Sequence, residues 1–151
     1  MSIDNTVEIP YYETSYFCLS NFSAHAIEFQ GVRYATAEQA FHAQKVDDMN
    51  LREQIKNCGS PLEAWELGRK LKPQRRSDWN VVKVGILTEI LREKVKQHSE
   101  VRSELENTGS RQIIEVNPND DFWGAGADGS GQNQTGKILM RLRDEISQGI
   151  L

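Results

Sequence analysis

An acid and an amine seven residues apart, in Thr36-Ala37-Glu38-Gln39-Ala40-Phe41-His42-Ala43-Gln44-Lys45, are the chain's clearest candidates for chemistry. At about 100° per residue a helix brings Glu38 and Lys45 within roughly 20° of each other, so they share a face. On that wheel Ala37, Ala40, Phe41 and Gln44 form the stripe that packs inward, with the two charges along its edge. A carboxyl group and an amine at the rim of a buried stripe are placed for shifted proton affinities and for contact with a ligand. The same spacing describes a solvated pair on an ordinary amphipathic helix, and taken alone the segment favours that plainer reading. Thr36 followed three residues later by Gln39 reads as a capping box, which predicts that the helix starts here.

Other polar groups cluster along the chain. Asn21, in the turn Leu19-Ser20-Asn21-Phe22-Ser23, is able to bond a ligand, although an Asx-turn onto its own backbone is the simpler expectation. Five basic residues fall between Arg69 and Arg76, namely Arg69, Lys70, Lys72, Arg75 and Arg76. Such a cluster either holds a phosphate or forms a solvated loop. Trp79 follows it and is read as the top of a core or as a platform for a flat ligand. Glycines at 124, 126, 129, 131 and 136 then make a loop entered by Trp123, flexible enough to wrap a ligand and leading to a helix start with N–H groups for an anion. Gly131-x-x-x-x-Gly136-Lys137 copies most of a P-loop, but Ile138 stands where the Mg²⁺-binding Ser or Thr is required.

The elements that must position these groups are legible in outline. Val7 to Ile9 and Tyr16 to Phe17 read as short β pieces separated by Pro10, Tyr11 and Tyr12. Ala26 to Phe29, Gln30-Gly31 and Val32 to Tyr34 read as a hairpin running into the Thr36 cap. Helices are predicted over about Met49 to Asn57, from the Ser60-Pro61 cap to Gly68, over Asp78 to Gln97, and over Ser99 to Asn107. Gln112 to Val116 reads as a strand, and Ile138, Leu139, Leu142 and Ile146 mark a final amphipathic helix.

Length and composition set the frame. The 151 residues suit one domain, 1–151, able to bury a core without disulfides or metal. With 26% charged and 38% hydrophobic residues the composition is that of a globular protein. No apolar run approaches the roughly 18 residues of a membrane span and no leader pattern opens the chain, so a cytoplasmic location without membrane contact is expected. The net charge of −4 opposes a protein that coats nucleic acid by charge. Two cysteines and three histidines match no zinc spacing, so no metal or cofactor is expected.

In order, the motifs Leu19-Ser20-Asn21-Phe22, Tyr34 to Lys45, Leu67-Gly68-Arg69, Asp78-Trp79, Phe122-Trp123-Gly124, Gly131-Gln132-Asn133 and Gly136 to Arg143 resemble the NADAR family, also called YbiA-like, over nearly the whole chain. The resemblance implies a mainly helical α+β fold, a single YbiA-like domain with a small antiparallel sheet. It implies N-glycosidase activity on ribosylated amines: members act on phosphorylated ribosylamino-pyrimidine intermediates of riboflavin biosynthesis, and others remove ADP-ribose from guanine in DNA. Partners would be a phosphorylated ribosylamine, an ADP-ribose-type molecule or ADP-ribosylated DNA. Gln39 stands where the YbiA branch typically has His, which bears on the substrate branch more than on the chemistry.

By the same resemblance Glu38 and Lys45 match the family's active-site positions. Glu38 would do acid–base work, and Lys45, if partly neutral, would attack the open-chain aldehyde of ribose to form a Schiff base. Trp79 and Trp123 would stack on the base or frame the pocket, Gly124 would join them in binding substrate, Asn21 and Asn133 would bond ribose hydroxyls, and Arg69 would meet phosphate. A non-catalytic ADP-ribose or nucleotide sensor using the same loop is the competing reading, and a P-loop phosphohydrolase a third.

Overall fold

The computed structural model describes residues 5–9 and 16–151, so the expected break at Pro10, Tyr11 and Tyr12 lies outside the described residues. The chain forms two compact units, residues 21–97 and residues 1–20 with 98–151. Both mix strands with a helical majority, as the α+β class requires. Among the described residues no helix is long and apolar enough to cross a membrane.

In the unit 21–97, strands β1 (Ile27–Phe29) and β2 (Val32–Tyr34) form the expected antiparallel hairpin, with Ile27 opposite Tyr34 and Phe29 opposite Val32. Gln30 at φ 52° and Gly31 at φ 79° make the connecting turn, the two left-handed positions a type I′ hairpin demands. Helix α1 (Ala37–Ala43) follows at once and is touched by both strands and by α2 (Met49–Lys56), α3 (Pro61–Lys70) and α4 (Trp79–Gln97). It is consequently buried on every side, from Ala37 through Ala43. The amphipathic wheel read from the sequence is thus replaced by a wholly enclosed helix with no solvated face. Local caps set the ends of its neighbours. The Asp48 side chain accepts from the N–H groups of Asn50 and Leu51, and the Ser60 hydroxyl accepts from Glu63 N–H beside an N1 proline.

In the other unit the expected N-terminal strand, β3 (Thr6–Ile9), runs parallel to β4 (Gln112–Glu115), with Val7 opposite Ile113. Parallel pairing needs a long crossover, which is why neighbouring residues carry no trace of it. Tyr16 and Phe17 are not a strand: Tyr16 takes a left-handed conformation and Phe17–Leu19 a 3-10 turn packed on α5 (Ser99–Asn107). Helix α6 (Gln134–Ser147) lies against β4 and α5.

Candidate functional site

The site is built on α1 and the turn that follows it. Thr36 Oγ1 accepts from Gln39 N–H at 3.2 Å, so the helix starts where the cap predicts. The reciprocal half of the box is different: the Thr36 hydroxyl donates to Gln39 Oε1 at 2.9 Å, and Gln39 Nε2 reaches the Cys58 carbonyl at 2.9 Å. Gln39 therefore ties α1 to the end of α2. The helix closes at Ala43, and Lys45 lies in the turn beyond it, where its N–H donates to the His42 carbonyl at 3.1 Å. Lys45 therefore lies off the helical face that carries Glu38, yet both groups are enclosed, Glu38 at 7% exposure and Lys45 at 9%. A solvated pair is excluded by that burial.

Glu38 has a partner in His42, a residue not among those expected at the site. His42, one turn on, sets its Nε2 2.6 Å from Glu38 Oε1 and is 2% exposed. Burial holds the imidazole below the usual histidine range, against the pull of the Glu38 charge. The ring is neutral, and with no hydrogen-bond partner for Nδ1 among the described residues, Nε2 carries the proton and donates it to Glu38. Gly68 of α3 makes the room: a Cβ there would stand 2.5 Å from His42 Nδ1. An acid and a His at i and i+4 were in view in the sequence; only the enclosure of α1 makes the contact matter.

Lys45 Nζ lies 5.5 Å from the centre of the Phe41 ring and 5.8 Å from that of Trp79. Those rings pack at 5.1 Å and 52°. Trp79 is buried in the first turn of α4, so it is at once core and a wall beside the amine. Asn21 caps the other end of the group. Its carbonyl accepts from Glu38 N–H at 3.1 Å, while its side-chain Oδ1 is buried with no partner among the described residues. The expected Asx-turn, which would have used that oxygen, is not formed.

Arg69 is exposed on α3 with its guanidinium 4.7 Å from the centre of the Trp65 ring. In the unit of 1–20 and 98–151, Asn133 serves the fold: Oδ1 accepts from Glu115 N–H at 2.9 Å and Nδ2 donates to the Ile113 carbonyl at 2.8 Å, which fastens the start of α6 to β4. Gly124 is required by crowding, since a Cβ would meet Asn117 Cβ at 2.7 Å. Trp123 is half-buried and packs edge-on to Phe122 at 4.8 Å. The anion-ready helix start expected behind the glycines is corrected by the loop's own bonding. The N–H groups of Asn133, Gln134 and Thr135 donate to the carbonyls of Gly124, Phe122 and Trp123. Gly136 lies inside α6, where a Cβ would come 2.1 Å from the Ile113 carbonyl, so the P-loop likeness has no P-loop geometry behind it.

Comparison with known proteins identifies the family. The chain is 38% identical to "N-glycosidase YbiA" of Shigella boydii over 141 residues, 92% of this chain and 88% of that one. It is 32% identical to "Riboflavin biosynthesis protein VVA0006" of Vibrio vulnificus, covering 95% of this chain and 40% of that longer protein. The NMR structure of the E. coli protein YbiA superposes with a TM-score of 0.85 at 35% identity, over 97% of this chain and 88% of that one. The NADAR domain model matches residues 10–147, sequence from both units, and the chain belongs to the NADAR domain family.

Proposed function

We propose that this chain is an N-glycosidase that hydrolyses the bond between ribose and a nitrogen, and that residues 1–151 act as one domain in doing so. The observation that carries the reading is the enclosed acid–amine pair, Glu38 bonded to a neutral His42 and Lys45 set against two aromatic rings. Binding alone has no use for such a pair, which sets the enzyme above a non-catalytic ADP-ribose or nucleotide sensor. The names of the relatives support the same activity.

In the proposed reaction Glu38 gives a proton to the departing nitrogen, and Lys45 Nζ bonds to C1 of the opened ribose. The resulting C1=Nζ linkage is a cation when protonated, and the rings of Phe41 and Trp79 suit a cation as they suit an ammonium. Water, losing its proton to Glu38, then hydrolyses the linkage and frees the sugar. Asn21 Oδ1, a buried acceptor, is available for a ribose hydroxyl. The substrates that fit are phosphorylated ribosylamino-pyrimidines, as the riboflavin name of one relative suggests, or ADP-ribosylated guanine.

Incubating the protein with each substrate and identifying the released base tests the activity. Glu38→Gln and Lys45→Ala are each expected to abolish release while leaving the fold intact. Borohydride is expected to trap a sugar on Lys45; full turnover in Lys45→Ala, or no trapped adduct, overturns the covalent route. Tight ADP-ribose binding by calorimetry without any turnover would instead establish the sensor.

A further inference from the structure

Of the five basic residues between Arg69 and Arg76, four are engaged at or open to the surface. Arg69 stacks on Trp65, Arg76 pairs with Asp78 through bonds of 2.6 and 2.9 Å, and Lys70 and Lys72 are exposed. Arg75 differs. It is half-buried, and its Nε is fully buried with no hydrogen-bond partner among the described residues. A guanidinium stays charged at any working pH, so a buried N–H left unbonded is costly unless a ligand accepts from it.

The backbone fixes where that side chain starts. Arg75 forms an antiparallel bridge with Val46, and the next N–H, that of Arg76, donates to the Lys45 carbonyl at 2.8 Å. The short 3-10 turn Lys72–Gln74 ends there and returns the chain to an extended conformation alongside the Lys45 turn. The charge of Arg75 is accordingly felt at His42, together with those of Glu38 and Lys45.

We propose that Arg75, not Arg69, is the anion-binding residue of this site, its guanidinium taking the phosphate ester of a ribosyl substrate whose C1 lies at Lys45. Guanidinium donors arranged as a fork match phosphate oxygens, and Arg75 comes from the strand-like segment bonded directly to the Lys45 turn. The assignment rests on the N-glycosidase reading for the identity of the sugar, but its test needs no turnover.

Calorimetric titration with ribose, ribose 5-phosphate and ADP-ribose reads it directly. Wild-type protein is expected to bind at least one of the phosphorylated ligands 10-fold or more tightly than ribose. Arg75→Gln loses that preference while keeping its ribose affinity, and Arg69→Gln keeps the preference. Loss confined to ribose 5-phosphate identifies a terminal monophosphate, and loss confined to ADP-ribose a diphosphate. No preference in the wild type, a preference retained in Arg75→Gln, or one lost in Arg69→Gln overturns the assignment. Arg75→Lys, which keeps the charge but not the fork, covers the case in which the glutamine variant does not fold. Its preference falls 3-fold or more, and an unchanged preference there also overturns the assignment. Base-release assays run alongside separate the two ideas: the expected binding pattern without release refutes the N-glycosidase reading alone, and release with an unaltered pattern in Arg75→Gln refutes this one alone.

Discussion

Gly68→Ala is a one-carbon change that tests the proposed coupling between fold and chemistry. Gly68 sits in α3 with no left-handed backbone, so the helix itself accepts alanine and gains about 1 kcal/mol of propensity. The cost comes from across the helix pair: the new Cβ would stand 2.5 Å from His42 Nδ1, 3.1 Å from Cγ and 3.4 Å from Cβ. Comfortable separation is roughly 3.5 Å, so the enclosed ring must move by about 1 Å, an overpacking cost of about 1–3 kcal/mol. Overpacking less the propensity gain is then about 0–2 kcal/mol, and with the roughly 1.5–3 kcal/mol of the His42–Glu38 hydrogen bond that is also lost, net destabilisation is about 1.5–5 kcal/mol, a fall in Tm of about 3–20 °C for a chain of this size. The ring's movement also breaks its 2.6 Å bond to Glu38. A hydrogen bond to a charged group contributes about 1.5–3 kcal/mol, so kcat is expected to fall roughly 10- to 150-fold, far more than the stability change explains at temperatures well below the Tm. The Gly68→Ala/His42→Gln double variant should recover much of that loss, because the glutamine amide reaches as far as the imidazole, donates equally well and bends away from the new methyl. Gly85→Ala, at an exposed position of α4 with nothing within 4 Å of its Cβ, is the matched control and should stabilise by about 0.5–1 kcal/mol. The reasoning is refuted if Gly68→Ala keeps both kcat and Tm at wild-type values, or if the double variant is no better than the single one.

Acid titration should show the buried imidazole. With its folded-state proton affinity below the unfolded value of about 6.5, His42 binds fewer protons folded than unfolded, so stability drops as pH falls from about 6.5 towards its folded pKa. Chemical denaturation of His42→Gln across that window should lack this component of the slope. Gly136→Ala should destabilise by about 3 kcal/mol or more by urea titration, since its Cβ meets a backbone carbonyl rather than a yielding side chain. Asn133→Ala removes both bonds from α6 to β4 and should cost about 1–3 kcal/mol in the same assay, with the preference for phosphorylated ligands unchanged.

What the sequence determined by itself was local. The hairpin needs two left-handed residues and has Gln30-Gly31; α1, α2 and α3 begin at Thr36, Asp48 and Ser60 because those side chains accept the first free N–H groups. Glu38 and Lys45 stood out as residue types, and spaced motifs shared with a family carried that pair to a proposed function. Tertiary structure decided the rest, because the deciding contacts join residues far apart in the chain. The parallel pairing of Thr6–Ile9 with Gln112–Glu115 has no local signature. Enclosure of α1 by two strands and three helices turned an apparent solvated face into a buried one, and with it made His42 a partner of Glu38. The glycine-rich loop has the composition of an anion site, but its own carbonyls occupy the N–H groups at the start of α6. Among the five basic residues from Arg69 to Arg76, the bridge to Val46 and the burial of its Nε single out Arg75, because a one-dimensional charge cluster does not say which of its members the fold turns inward.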